Sequence, residues 1–143
     1  MLALSFMATA AILVVDDDSR ITRTLAELLA AEGHAVDTAQ DGLTALAKLD
    51  VRPFDVVITD VRMPRLDGPG LYRELARRAP ALQRRIIFIT GEAPTSDTWR
   101  FLDGSGAPVL SKPFDIADLA RAVDTVLTTG AGSTGAVAPR STA

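Results

Sequence analysis

The chain has 143 residues, 48% of them hydrophobic, which is enough for one domain with a sizeable core and too little for two ordinary ones. A formal net charge of −3 and 5% aromatic content supply neither the basic field nor the stacking platforms that direct binding of DNA or RNA needs. With no cysteine there is no disulfide framework, thiolate metal site or cysteine nucleophile, so covalent chemistry must run on other groups, and a cytoplasmic setting is expected.

The opening MLALSFMATAAILVV is apolar and contains an Ala8-Thr9-Ala10 tripeptide. It lacks the positive stretch of a signal peptide and runs straight into Asp16, Asp17 and Asp18. Residues 1–9 are therefore read as a leader, with Met7 as an alternative start, and residues 11–15 as a buried first strand. No apolar run reaches the roughly 20 residues of a membrane span.

Short apolar runs then alternate with segments of helical period, a βα repeat. Residues 20–31 place Ile21, Leu25, Leu28 and Leu29 on one helical face, and Gly33 stops that helix. Residues 34–39 form a short polar second strand, and 44–50 a second helix carrying Ala45, Leu46 and Leu49. The third strand, 54–59, is almost wholly apolar. A third helix follows Gly68 with Leu71, Tyr72 and Leu75. Residues 85–89, RIIFI, suit a sheet covered on both faces. A short fourth helix spans 96–102, a brief fifth strand 108–111, and a fifth helix 115–127, with Ile116, Leu119, Val123, Val126 and Leu127 at helical spacing.

The domain is thus expected over residues 10–128. The remainder, 129–143, is rich in Gly, Ala, Ser and Thr and is read as a flexible tail. Near-obligatory right-handed crossovers make this order a doubly wound, flavodoxin-like (βα)5 three-layer sandwich, with a parallel sheet of order 2-1-3-4-5.

In such a sheet the ligand crevice lies outside the carboxyl ends of the strands, at the switch between strands one and three. Strand one ends in Asp16 and Asp17, strand three in Asp60, strand four in Thr90, and strand five in Ser111 and Lys112, whereas edge strand two ends in Ala39 and Gln40. Three carboxylates converging in a crevice repel one another, and a hard cation relieves that. Mg2+ suits this set, because it accepts one or two carboxylates with waters and phosphate oxygens, while calcium wants more protein oxygens. Asp17 is expected to ligate directly and Asp16 through water, with the backbone carbonyl of Arg62 completing the set. Asp60 would both bind the metal and attack phosphorus, since a carboxylate can form an aspartyl phosphate. Lys112 is one of two lysines among 15 basic residues, a point charge retained at that site. Its bond to Pro113 is of the kind that can be cis. Thr90 offers a hydroxyl to a phosphoryl oxygen.

The runs ILVVDDDSRI, VVITDVRMPRLDGPGL, IIFITGEA and VLSKPFDIADL together resemble the receiver domain of two-component response regulators, of the chemotaxis-regulator-like kind, over nearly all of residues 11–127. The resemblance implies Mg2+-dependent transfer from the phosphohistidine of a sensor histidine kinase, or of a phosphotransfer protein, to Asp60. It also implies a switch in which Thr90 turns inward and the surface of helix four, strand five and helix five changes shape for an output protein. Such a module is a signalling phosphoacceptor, not an enzyme acting on outside substrates. A homodimer and the identity of the output protein stay open. Two departures stand out: Val109 occupies a position that is usually aromatic in the family, and the loop before it is about one residue shorter. Arg62 and Glu92 sit where family members tune the lifetime of the phosphoryl group.

Two rival functions compete. A phosphohydrolase that uses an aspartyl phosphate places a second acid two residues after the nucleophile, where this chain has Arg62. A receiver-like adaptor that is never phosphorylated has no need of Asp60, the acid pair and Lys112 together. Of the remaining features, Asp18 or Ser19 caps the first helix, Asp67-Gly68 is a turn and helix start, and His34, the single histidine, is a structural residue on the edge strand. Trp99 and Phe101 are either a partner surface or packed aromatics. The arginines at 73, 77, 78, 84 and 85 are read as a solvated face, with recognition of an acidic partner as the lesser alternative.

Overall fold

A computed structural model describes residues 9–91 and 93–129. The tail from residue 130, residues 1–8 of the expected leader, and Glu92 lie outside the described residues.

Five parallel strands, β1 (Ala11–Val15), β2 (Ala35–Ala39), β3 (Val56–Asp60), β4 (Ile86–Thr90) and β5 (Val109–Ser111), form one sheet in the order β2-β1-β3-β4-β5. They alternate with helices α1 (Ser19–Ala31), α2 (Gly42–Val51), α3 (Gly68–Arg78), α4 (Ser96–Ser105) and α5 (Ile116–Thr129), and a one-turn helix, Pro80–Gln83, precedes β4. Strand residues alternate between faces, so each strand feeds two cores. Ile12, Val14, Val56, Ile58, Ile87 and Ile89 pack with Leu25 and Leu29 of α1 and with Leu119, Val123 and Val126 of α5. On the other face Leu13, Val15, Val57 and Phe88 pack with Ala45 and Leu46 of α2, Leu71 and Leu75 of α3 and Leu102 of α4. Each large side chain so buried contributes about 1.5–3 kcal/mol of transfer free energy, which is why β1, β3 and β4 carry near-continuous apolar runs. β2, covered on one edge only, tolerates Asp37 and Thr38.

Local chemistry sets the helix ends. Asp18, Asp41, Asp67 and Thr95 each accept a backbone N–H of the first turn of α1, α2, α3 and α4. The Asp41 cap starts α2 at Gly42, two residues before the periodicity suggests. Gly106, at φ +74, ends α4 at Ser105 and not at 102. The turn Pro80–Gln83 is too short to show a period, yet it buries Leu82 against the α3 side of the core.

His34 is buried, and its Nδ1 accepts the N–H of Ala10 at 3.1 Å, which places the ring proton on Nε2. Its position is structural, as expected. Phe101 packs in an aromatic trio with Tyr72 and Phe88, whereas Trp99 is exposed. Arg77 and Arg78 pair with Glu74, and Arg78 with Asp50, on an open face.

Candidate functional site

All five strands point the same way, so their carboxyl ends form one rim, and the crossovers reverse direction between β1 and β3. β1 delivers Asp16 and Asp17 there. β3 delivers Asp60 beside them, through the β1–β3 register that pairs Val15 with Thr59. One oxygen from each of Asp16, Asp17 and Asp60 lies within 4.8 Å of the others, and among the described residues no other three acidic or histidine side chains gather in this way. Asp16 is buried, Asp17 exposed and Asp60 intermediate, so the group opens to solvent on the Asp17 side.

Lys112 reaches into the group from β5. Its Nζ stands 3.3 Å from Asp16 Oδ2 and 3.9 Å from Asp60 Oδ2. The Lys112 N–H donates to the Thr90 carbonyl at 2.9 Å, tying its backbone to the end of β4. Its stem passes Gly91 so closely that a Cβ there would lie 3.4 Å from Cδ, at ordinary contact distance. The Lys112–Pro113 bond is cis. Asp16 Oδ1 meanwhile accepts the Asp18 N–H at 2.9 Å, which orients that carboxylate.

Burial, and next the Asp16 charge, push the Asp60 carboxyl up to about 6, against the pull of Lys112 and of the Arg62 and Val61 N–H groups that donate to it. One ammonium does not offset the charge that this group of acids would carry when ionised. A hard cation with oxygen preference fits the donor set, and soft thiolate or imidazole ligands are lacking from the group.

The structure therefore brings together Asp16, Asp17, Asp60 and Lys112. It sets buried Thr90 at the end of the neighbouring strand. Arg62 lies two residues past Asp60 with its side chain exposed. Val109, partly buried, pairs opposite Phe88 across β4 and β5. Asp41, at the start of α2, and Arg65, in the β3–α3 loop, carry no mark in the sequence and are brought together only by the fold.

A family model described as the response regulator receiver domain matches residues 12–124. The response regulator receiver protein CpdR of Brucella abortus is 37% identical over 123 residues, covering 81% of this chain and 95% of that protein. The transcriptional regulatory protein TcrA of Mycobacterium tuberculosis is 36% identical over 108 residues, and there this chain spans 42% of the relative's length. A crystal structure of a response regulator receiver domain protein from Clostridium thermocellum superposes with a TM-score of 0.75 at 30% identity, covering 83% of this chain and 94% of that one. Chemotaxis protein CheY4 of Vibrio cholerae gives 0.72 at 32% identity, covering 84% and 100%. The chain belongs to the response regulator receiver domain family of two-component systems. Members of that family work with histidine kinases and output domains, typically bind Mg2+, and serve signalling more than catalysis. Among the described residues no helix is long and apolar enough to cross a membrane.

Proposed function

We propose that this chain is a phosphoacceptor switch in which Asp60 takes a phosphoryl group from the phosphohistidine of a sensor kinase or phosphotransfer protein. The observation that carries the reading is the convergence of Asp16, Asp17 and Asp60 on the Lys112 ammonium, 3.3 Å from Asp16 and 3.9 Å from Asp60, at the open rim of the sheet. In the transfer an Asp60 oxygen forms a bond to phosphorus as the P–N bond to the imidazole breaks; the electron pair stays on the imidazole nitrogen, which takes up a proton.

Asp17 and Asp60, Asp16 through water, and the carbonyl of Arg62 would hold Mg2+, which when bound neutralises charge on the carboxylates and the phosphoryl oxygens. Lys112 places a fixed positive charge beside the same oxygens, preorganised by its backbone tie to Thr90. The Thr90 hydroxyl donates to a phosphoryl oxygen, and its inward turn alters the face made by α4, β5 and α5 for an output partner. Arg62 stands where a phosphohydrolase would carry its second acid, so no outside substrate is turned over. A cytoplasmic setting, and a domain spanning residues 10–128, belong to the same reading.

The test is direct. Incubation with Mg2+ and a small phosphodonor, followed by intact mass measurement, yields a single phosphoryl adduct that is lost in Asp60→Asn and in chelator. No adduct would mean a constitutive adaptor. Phosphate released over many turnovers at an enzymatic rate would mean a hydrolase.

A further inference from the structure

The loop that leaves β3 carries Arg62 and presents Asp60, and it is tied to the start of α2 by contacts outside the acidic group. The Gly42 N–H donates to the Leu66 carbonyl at 3.1 Å, across a gap so narrow that a Cβ on Gly42 would stand 2.5 Å from that oxygen. Next to it, buried Asp41 divides its carboxylate between two tasks. Oδ1 accepts the Thr44 N–H at 2.7 Å as the cap of α2, and Oδ2 lies 3.1 Å from Arg65 Nε. Arg65 has φ +71, and among the described residues it alone has a positive φ without being glycine. The Leu66 N–H donates to the Pro64 carbonyl at 2.8 Å, closing a γ-turn around Arg65 in its strained left-handed form. Strain of this kind persists only where the surroundings hold it.

Downstream, the Gly68 N–H donates to the Val61 carbonyl at 3.0 Å, and a Cβ on Gly70 would stand 2.6 Å from Leu66 Cδ1. The loop is thus pinned at its base and at its tip. What remains between the two pins is the stretch that turns the Arg62 backbone toward the Asp60 carboxylate.

We infer that Asp41 and Arg65 are positioning residues, their ion pair holding the γ-turn closed and thereby setting the Arg62 N–H and carbonyl against Asp60 and a divalent cation. This rests on the phosphoacceptor reading of Asp60. Charge and geometry predict opposite signs for one variant. Removing a positive side chain from the loop that follows Asp60 would, by Coulomb's law, leave cation binding unchanged or tighter. Loosening the turn weakens it.

The experiment uses the full chain and four variants: Arg65→Gln, Arg65→Lys, Asp41→Asn, which keeps a competent helix cap, and the double Asp41→Asn with Arg65→Gln. Calorimetric titration with Mg2+ gives affinity, amide exchange in chelator gives the opening of the Gly42 N–H, and thermal melts report the fold. Arg65→Gln and Asp41→Asn each weaken Mg2+ by about three- to tenfold. Both speed exchange at Gly42, and both leave the melting temperature within about 3 °C. The double variant is no worse than either single, and Arg65→Lys restores part of the loss. Mg2+ binding that is unchanged or tighter in Arg65→Gln overturns the proposal, as do effects that simply add in the double variant. Failure of the unvaried protein to take up a phosphoryl group overturns instead the reading on which the proposal rests, so the two failures are separable.

Discussion

At Asp60 the burial that aims the carboxylate at the rim also makes its charge costly to hold. The folded group ionises near 6, against an ordinary 3.8, because it is desolvated and faces Asp16. Between those values the folded protein binds the extra proton. Stability therefore falls as pH rises from about 4 to 6, and the full penalty stands above that window. Asp60→Asn removes it, so in chelator at neutral pH the variant should melt higher, by on the order of 2 kcal/mol of stability. The gain should fade as the solution is taken toward pH 4. Equal melting curves at neutral pH would mean that the charge is already compensated. The residues of this site were readable in the chain because each ends an apolar strand, and strand ends of a parallel sheet share a rim. Asp41 and Arg65 were not, since an ion pair 24 positions apart and a positive φ leave no mark on periodicity.

Among the elements, the β3–α3 junction packs backbone against backbone. A Cβ on Gly68 would stand 2.8 Å from the Asp60 carbonyl and 3.1 Å from Val61 Cα, both backbone atoms that cannot swing aside. Gly68→Ala should cost about 2 kcal/mol, read as a lower urea midpoint, and it should weaken Mg2+ binding because relief moves Asp60. A melting curve like that of the unvaried protein would show that the helix can back away freely. The strands and α1, α3 and α5 follow their apolar spacing, so they are legible. The start of α2 and the end of α4 are not, because a cap at Asp41 and a left-handed Gly106 decide them, and both act through single hydrogen bonds. The aromatic density of the α4 side comes from Phe101, Tyr72 and Phe88, with ring centroids 5.3 to 6.0 Å apart. Val109 in β5 pairs with Phe88 and adds only a small apolar contact to that face.

For the molecule as a whole, acid should unfold it partly through a group far from the acidic rim. Desolvation holds the His34 imidazole below its ordinary 6.5, and its Nδ1 is committed to the Ala10 N–H. Below 6.5 the unfolded chain takes the proton that the folded one resists, so stability present above that pH is lost as pH falls. Asp60 acts in the opposite sense over part of the same range, so the measurement belongs in Asp60→Asn. There the urea midpoint should drop between about pH 7 and 5, and His34→Asn should flatten that slope. Parallel strands also give the body a polarity. The carboxylates crowd one rim, while β1 is entered after Ala10 and α5 finishes at Thr129 on the other. On the phosphoacceptor reading, a cargo joined to Ala10 or Thr129 starts from the rim opposite the mouth, so carrying a load and admitting a large phosphodonor would not compete for space.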